Sequence, residues 1–392
     1  MSQLKPQPRA ALMAIRPYQP GRATIDDMAD APKNIFKLSS NESALGPSPQ
    51  AVLAYQQAAE SLALYPDGGA LDLRAALADL YNLPQAQFIC GGGSDEILQL
   101  LAYAYLQAGD EAIHTAHGFL IYRLVTQAAG GIPKSVPEPN LKPDVELILQ
   151  AVTDKTRIIF LANPNNPTGT ILTGEELHYL HARLRGDILL VLDEAYGEYV
   201  TDSAYASGLT WFAPDKDKDE NKIRAHNIIV TRTFSKIYGL ASLRLGYAFA
   251  APPIIDALNR LRGAFNVNNP ALQAGVAALR DQTHIAKSQA YNEKWRNWLV
   301  QEISAAGFET INGAGNFLLI KCTTYKDPKT GQQIQITTEQ IDKSLCARGI
   351  IARDIAAYHL ADYLRLTVGT EKANRAVVKA FTEIGAQLTA AK

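Results

Sequence analysis

The sequence predicts an α/β protein with a large, mostly parallel β-sheet and a second, smaller α+β unit. From about residue 48 to residue 285, short apolar runs alternate with helix-length amphipathic segments. The apolar runs are continuous rather than interrupted by polar residues, which is typical of strands in a parallel sheet that helices cover on both faces. After a long helical stretch at 285–306 the pattern changes, which indicates a separate unit.

The large sheet is predicted from five buried apolar runs. They are AQFIC (86–90), RIIFLA (157–162), DILLVL (187–192), NIIVTRT (227–233) and GYAFAA (246–251). Amphipathic helices are predicted between these runs at 95–107, 119–129, 174–185 and 252–262. Since a sheet of this kind binds its ligands at the carboxyl ends of its strands, the residues that follow each strand are the candidates for function.

The smaller unit is predicted from a second set of elements that follows the long helix. Its strands are NFLLIKC (316–322), IIARDI (350–355) and YLRLTVG (363–369), with helices near 338–347 and 371–388. The first 40 residues are rich in proline and weakly periodic, so we interpret them as an arm packed on the body. We therefore expect an arm over 1–40, a large domain over 41–285 and a small domain over 286–392.

Composition narrows the possible functions. The 38 basic and 39 acidic residues leave a net charge of −1, without the basic surface that nucleic-acid binding requires. The longest uncharged apolar run, 97–109, is too short to span a bilayer, and the N-terminus lacks the apolar core of a signal peptide. Cys90, Cys322 and Cys346 lie in separate elements, which indicates neither a disulfide framework nor a metal site. We expect a cytoplasmic protein that binds neither nucleic acid, membrane nor metal.

Glycines follow the first predicted strand, in the segment GGGSDEI (91–97). Ser94 and Asp95 then fall in the first turn of a helix, where free backbone N–H groups can bind a phosphate. A tight turn in which Ser94 or Asp95 caps the helix explains the same residues. Phosphate binding therefore depends on what the other strand ends supply.

Two further strand ends carry polar side chains. NPNNPTG (163–169) predicts a rigid turn, and such a turn also fixes the amide of Asn166 above the strand end. Asp193 follows the apolar run DILLVL, so its carboxylate lies in a poorly hydrated place unless it only caps a helix or turn. A Walker B strand of an ATPase is excluded for Asp193, because no Gly-Lys dipeptide of the required phosphate loop occurs in the chain.

A lysine among small and apolar residues follows the fourth strand, in the segment RTFSKIYGLASLRLGY. A lone lysine is more often a surface residue with a solvated ammonium group, or it pairs with a buried acid. Thr233, Ser235 and Arg244, however, surround Lys236 with anion-binding groups. A phosphorylated aldehyde that forms a Schiff base with Lys236 uses all of them, and pyridoxal 5'-phosphate is such a cofactor. Asp193 can supply the carboxylate that its ring nitrogen needs.

With these residues in place, the chain resembles the fold-type-I pyridoxal-phosphate aminotransferases over nearly its whole length. The resemblance is carried by RPYQPG (16–21), LSSNESALGPSP (38–49), YPDGGALDLRAALA (65–78), GGGSDE (91–96), NPNNPTG (163–169), DEAYGEYV (193–200), RTFSKIYGLASLRLGY (232–247) and YLRLTVGT (363–370). It implies a large domain whose mostly parallel, seven-stranded sheet lies between helices, a smaller α+β domain, a pyridoxal-phosphate cofactor and a homodimer.

The resemblance also implies roles for single residues. Lys236 matches the lysine that forms the Schiff base and transfers the proton, and Asp193 matches the partner of the pyridine nitrogen. Tyr196 and Asn166 match groups that hydrogen-bond the ring oxygen, and Phe119 matches the aromatic residue that stacks on the ring. The predicted cofactor-binding set is completed by the backbone at Ser94 and Asp95, the side chains of Thr233, Ser235 and Arg244, and Tyr65 from the neighbouring subunit.

Arg365 matches the arginine that binds a substrate carboxylate, and its planar fork suits oxyanions. Arg353 and Tyr18 match positions near the substrate. The motifs are most similar to the branch of the family that converts histidinol phosphate and 2-oxoglutarate into imidazole-acetol phosphate and glutamate in histidine biosynthesis. Many relatives have Asn-Glu-Asn where this chain has Asn41-Glu42-Ser43, a departure that concerns local loop contacts rather than the chemistry.

Three alternatives remain at this stage. An aromatic amino acid aminotransferase of the same fold would carry the same cofactor motifs. A phosphothreonine decarboxylase resembles this family closely and keeps the same lysine. A cofactor-binding regulator without catalytic activity would need an appended DNA-binding module, and the arm is too short and lacks a helix-turn-helix pattern.

Overall fold

The computed structural model describes residues 6–17, 22, 24, 34–212 and 226–391 of the chain. The strands in these ranges are β1 (Phe36–Lys37), β2 (Phe88–Gly91), β3 (Glu111–Thr115), β4 (Ile132–Val136), β5 (Thr156–Ala162), β6 (Leu189–Asp193), β7 (Ile228–Thr233), β8 (Gly246–Ala250), β9 (Phe308–Asn312), β10 (Phe317–Lys326), β11 (Gln333–Gln335), β12 (Ile350–Ile351), β13 (Arg353–Asp354) and β14 (Tyr363–Thr367). The α-helices are α1 (Ala10–Met13), α2 (Pro49–Ala58), α3 (Leu71–Tyr81), α4 (Ser94–Tyr105), α5 (Ile121–Ala129), α6 (Val145–Ala151), α7 (Gly174–Arg183), α8 (Pro252–Asn259), α9 (Asn269–Arg280), α10 (Gln282–Ala305), α11 (Thr338–Cys346) and α12 (Glu371–Ala390).

A seven-stranded sheet with the strand order β2-β8-β7-β6-β5-β3-β4 forms the centre of the larger part. Only β8 runs antiparallel to its neighbours, β2 and β7, and the other pairs are parallel. The predicted mostly parallel α/β sheet is therefore confirmed, and all five predicted strands belong to it. The prediction missed β3 and β4, because their sequences EAIHT and IPKSV contain polar residues and are only partly buried.

Alternate residues of the central strands enter two separate hydrophobic clusters. Ile159 and Leu161 of β5 pack with residues of α3, α7 and α9, whereas Ile158 and Phe160 pack with residues of α4, α5 and α8. The sheet is thus buried on both faces, which explains why its central strands are continuous apolar runs.

A second, antiparallel sheet has the order β11-β10-β14-β13, and β9 also pairs with β10. Its apolar face contains Leu318, Ile320 and Leu366, which share a cluster with Trp295 of α10 and Phe381 of α12. The predicted strand 350–355 is divided into β12 and β13, because β12 pairs with β1 from the N-terminal segment while β13 pairs with β14.

The long helix α10 connects the two parts. Ile285, near its start, packs against the cluster of the large sheet, whereas Trp295 and Leu299 belong to the cluster of the small sheet. The predicted boundary at 285–286 therefore falls within the first turns of α10, and the division into domains stays a prediction. No helix within the described ranges has the length and apolar composition that a membrane span requires.

Candidate active site

A cavity of about 250 Å³ lies at the carboxyl ends of β5, β6 and β7. Its lining consists of Ser40, Glu42, Ser94, Asp95, Phe119, Tyr122, Ala162, Pro164, Asn166, Asp193, Ala195, Tyr196, Thr233, Ser235, Lys236, Ala241 and Arg244. The structure thus brings together ten residues that the sequence analysis selected from five separate segments. Their individual roles stay predictions.

Asp193 is the last residue of β6, and its side chain is buried. Its carboxylate accepts hydrogen bonds from the Tyr122 hydroxyl at 2.8 Å and from the backbone N–H of Ala195 at 3.2 Å. Burial raises the pKa of Asp193 to about 6, although the hydrogen bond from Tyr122 opposes this shift. Among the described residues no cation forms an ion pair with Asp193. A buried carboxylate without such a cationic partner is suited to bind a cationic N–H group of a ligand.

Lys236 follows β7 and extends its amine into the cavity lining. The Nζ atom donates to the backbone oxygen of Ser40 at 3.4 Å and lies 5.5 Å from the centre of the Tyr196 ring. The turn that carries the lysine packs closely on another segment: at Gly239, which has a φ of +70°, a Cβ atom would lie 2.3 Å from the carbonyl carbon of Gly46. This close packing fixes the position of the lysine backbone.

Groups that can bind an anion lie together where α4 begins. Gly93 precedes the helix with a φ of +89°, no side chain caps the helix, and its first two residues, Ser94 and Asp95, line the cavity. A Cβ atom at Gly93 would lie 2.5 Å from Nη2 of Arg244. Arg244 also donates to Ser235 Oγ at 3.3 Å and pairs with Asp95 at 3.3 Å. Helix N–H groups, a guanidinium and a hydroxyl are the chemistry of a phosphate site.

Tyr196, Phe119 and Asn166 also line the cavity. The Tyr196 hydroxyl accepts a hydrogen bond from Asn41 Nδ2 at 2.8 Å, and Phe119 packs edge-on against Tyr122 at 5.9 Å between ring centres. The turn NPNNPTG holds Asn166 at the end of β5, where its side-chain oxygen accepts from Arg365. The amide nitrogen of Asn166 is then the group that remains for a ligand.

The predicted substrate residues lie beside this cavity rather than in its lining. Arg365 is buried, donates to the backbone oxygen of Ser39 at 2.8 Å and lies over the Phe317 ring at 5.4 Å. Arg353 lines a neighbouring cavity of about 660 Å³. Its lining also includes Arg16, Arg22, Arg123 and His359. Tyr18 lies outside the described residues.

Tyr65 is separated from the cavity of its own chain. Its side chain is 82% exposed and stacks on Phe265, with 4.6 Å between the ring centres. A role for Tyr65 therefore requires a second copy of the chain.

In the described residues, no group of three or more His, Cys, Asp or Glu side chains could hold a metal ion.

Three residues with contacts to the site were missed in the sequence. Tyr122, the hydrogen-bond donor to Asp193, lies three residues after Phe119 in the predicted helix 119–129, a spacing that places two residues on one side of a helix. Asn41 lies in a motif that was interpreted only as a loop. Glu138 has no motif around it, and only the fold shows that it is buried beside the turn containing Asn165.

Comparison with known proteins agrees with this geometry. The family described as aminotransferase class I and II matches residues 33–381. A histidinol-phosphate aminotransferase of Nitrobacter hamburgensis is 42% identical over 383 residues, which are 98% of this chain and 99% of the relative. One of Rhodopseudomonas palustris is 43% identical with the same coverage. The crystal structure of the Sinorhizobium meliloti histidinol-phosphate aminotransferase in complex with pyridoxal-5'-phosphate has a TM-score of 0.85 and 26% identity, and the match covers 98% of this chain and 99% of that one.

Proposed function

Because this chain belongs to the class I and II aminotransferases, we propose that it transfers an amino group between histidinol phosphate and 2-oxoglutarate. The products are imidazole-acetol phosphate and glutamate, and the step belongs to histidine biosynthesis. The names of the two relatives with 42% and 43% identity support this substrate pair. The observation that carries the chemistry is the cavity that combines a buried carboxylate, a lysine amine and an anion site.

The cavity fits pyridoxal 5'-phosphate. Asp193, buried without a cationic partner among the described residues, would hold the protonated ring nitrogen, and Phe119 would cover the ring. Tyr196 and Asn166 would bind the ring oxygen. The phosphate would be held by the start of α4 together with Ser235, Arg244 and, beside them, Thr233. When bound, this cofactor supplies an electron sink for negative charge at a substrate carbon.

Lys236 is the proposed proton-transfer group. Its Nζ lies in the cavity beside Ser40 and Tyr196, where it can take a proton from the carbon that bears the substrate amino group. The lining that contains Lys236 combines Ala162 and Ala195 with polar side chains.

Arg365 is the proposed anion-binding residue for the substrates. One substrate carries a phosphate and the other carries carboxylates, and a guanidinium fork can bind either of them. The hydrogen bonds to Asn166 and Ser39 hold Arg365 at the edge of the cofactor cavity. Arg353 and Tyr18 are proposed to contact the remote end of the substrate.

The active form is proposed to be a homodimer in which Tyr65 reaches the site of the neighbouring subunit. Support comes from the exposed Tyr65 and Phe265 rings and from exposed apolar residues nearby in the sequence, Leu62, Leu64 and Leu71.

The division into an arm (1–40), a large domain (41–285) and a small domain (286–392) is part of the proposal and is supported by two separate hydrophobic clusters. A cytoplasmic location is proposed because all three cysteines are free.

Half-reaction spectroscopy tests the proposed function. Purified holoenzyme is mixed with histidinol phosphate, phenylalanine, tyrosine or phosphothreonine, and the visible absorbance of the cofactor is followed. Histidinol phosphate should give the highest ratio of rate to half-saturation concentration. A preference for phenylalanine or tyrosine would identify an aromatic aminotransferase, and release of carbon dioxide from phosphothreonine would identify a decarboxylase. Lys236→Ala, which lacks the reacting amine, is the control and should give no half-reaction.

A further inference from the structure

The segment 38–41 connects the cofactor cavity with the small sheet. Its backbone oxygens accept from three different residues: Leu38 from the Thr367 N–H at 2.9 Å, Ser39 from Arg365 at 2.8 Å and Ser40 from Lys236 at 3.4 Å. These partners lie on β14 and after β7, so the segment joins residues of both sheets. Its last residue, Asn41, makes the contact with Tyr196.

Asn41 is buried and has a positive φ of 54°, a conformation that asparagine adopts more readily than most residues. Its backbone N–H donates to Thr367 Oγ1 at 3.0 Å, and its backbone oxygen accepts from Asn316 Nδ2 at 3.0 Å. Its side-chain Oδ1 lies 3.1 Å from Thr367 Oγ1, and its Nδ2 lies 2.8 Å from the Tyr196 hydroxyl.

These contacts fix the orientation of the Asn41 amide. Thr367 Oγ1 already accepts a proton from the Asn41 backbone, so its own hydroxyl proton is available to donate to Asn41 Oδ1. With Oδ1 accepting from Thr367, Nδ2 faces Tyr196. The amide is therefore a donor to the tyrosine oxygen and cannot accept its proton.

The direction of the Tyr196 proton follows from this orientation. The hydroxyl oxygen accepts from Asn41, and no other hydrogen bond connects it to a residue in the described ranges. Tyr196 is buried and lines the cavity, so its O–H can only donate toward a group bound there.

We propose that Asn41 is a positioning residue that makes Tyr196 an obligatory hydrogen-bond donor to the ring oxygen of the bound cofactor. The inference rests on the proposed function, since the acceptor belongs to pyridoxal 5'-phosphate. In this arrangement Thr367 orients the Asn41 amide, and the amide orients the hydroxyl proton of Tyr196. The hydroxyl then stabilises negative charge on the ring oxygen.

Asn41→Asp tests this chain of contacts, because it replaces the donor by an acceptor of equal size. The Tyr196 hydroxyl then donates its hydrogen bond to the new carboxylate. The ring oxygen of the cofactor loses this donor. The measurement is the visible absorbance of the holoenzyme as a function of pH, with Tyr196→Phe as the reference variant. Both substitutions should raise the midpoint of the spectral transition by about one pH unit, which is roughly the tenfold change in proton affinity that one charged hydrogen bond represents.

A double-mutant cycle separates this effect from the added charge. If Asn41 acts through the Tyr196 hydroxyl, Asn41→Asp should cause little further shift in the Tyr196→Phe background. The other titratable groups of the cavity and beside Tyr196 are unchanged in all four proteins; they are Glu42, Asp95, Tyr122, Asp193, Tyr199, Lys236 and Arg244. Additive shifts would mean that the carboxylate acts only by its charge, and this would overturn the inference.

Thr367→Val provides a second variant if Asn41→Asp does not fold. Valine keeps the shape of threonine but removes the hydroxyl that orients the amide, and a smaller shift in the same direction is expected. A shift with Tyr196→Phe but none with either Asn41→Asp or Thr367→Val overturns the inference and leaves the proposed function intact. No shift with Tyr196→Phe overturns the inference together with the proposed cofactor contact of Tyr196. A wild type without a visible cofactor band overturns the proposed function itself.

Discussion

Glu138 is a buried carboxylate behind the cavity, and its ionisation should make the stability of the protein depend on pH. Its side chain accepts hydrogen bonds from the His117 backbone N–H at 2.6 Å and from Asn165 Nδ2 at 2.8 Å. Burial raises its pKa from the ordinary value of 4.5 to about 7, although these hydrogen bonds oppose the shift. Since His117 precedes Phe119 and Asn165 precedes Asn166, Glu138 holds two loops of the cavity.

The sign and the size of the effect follow from the two pKa values. Between pH 4.5 and pH 7 the folded protein holds a proton on Glu138 that the unfolded chain has released, so the free energy of unfolding falls as the pH rises through this window. The difference between about 7 and 4.5, at 1.36 kcal/mol per unit, gives a loss of up to about 3 kcal/mol. The contribution levels off about one pH unit above the folded-state pKa.

Glu138→Gln removes the titration while keeping the shape of the side chain. The new amide can be accommodated, because Asn165 Oδ1 is buried without a hydrogen-bond partner in the described structure and could accept from it if the Asn165 amide turned over. The free energy of unfolding of the variant, relative to the wild type, should therefore rise by up to about 3 kcal/mol between pH 5 and pH 8.

Urea unfolding followed by tryptophan fluorescence at pH 5, 6, 7 and 8 measures this difference. Glu175→Gln, the same chemical change at an exposed position on α7, is the matched control for the loss of one negative charge. Parallel pH profiles for Glu138→Gln and the wild type would refute the reasoning, because burial would then not have moved the proton affinity of Glu138.

Three further predictions concern the proposed reaction. Asp193→Asn should keep the cofactor bound but lower turnover more than tenfold, because an amide cannot balance a protonated ring nitrogen; stopped-flow rates within tenfold of the wild type would contradict this role. Arg365→Lys should lower kcat/KM roughly ten- to a hundredfold in both half-reactions, because a charged hydrogen bond contributes about 1.5–3 kcal/mol. The cofactor absorbance should be retained. A loss in only one half-reaction would limit Arg365 to one substrate. Light scattering should give about twice the chain mass of 42.6 kDa, and a fully active monomer would exclude a contribution from Tyr65.

The sequence was sufficient to predict the strands that are buried on both faces. β5, β6 and β7 are fully or almost fully buried, and only apolar residues tolerate that environment, so their composition identifies them. β3 and β4 could not be identified in the same way. Residues such as Glu111 and Lys134 are accommodated because their side chains reach a partly exposed side of the sheet and lie 3.6 Å apart.

The cavity residues were predictable for a related reason, because the carboxyl ends of neighbouring parallel strands meet at one edge. The contacts that orient these residues were not predictable. Asn41 and Tyr196 are 155 positions apart, and Glu138 and Asn165 are 27 apart. No periodicity connects such pairs, and their hydrogen bonds exist only after the whole chain has folded.

The contact between Arg365 and Asn166 connects the proposed substrate-binding residue with a proposed cofactor-binding residue. Asn166 has one amide group, and because its oxygen accepts from Arg365, its nitrogen is left for the cavity. Replacing Arg365 should therefore remove the proposed anion-binding group and also release the Asn166 amide that lines the cavity. Arg123, by contrast, lines the neighbouring cavity and does not belong to the lining of the cofactor cavity. Substitutions that change substrate preference without disturbing the cofactor are accordingly expected in the cavity of Arg123, because a change there leaves Asn166 in place.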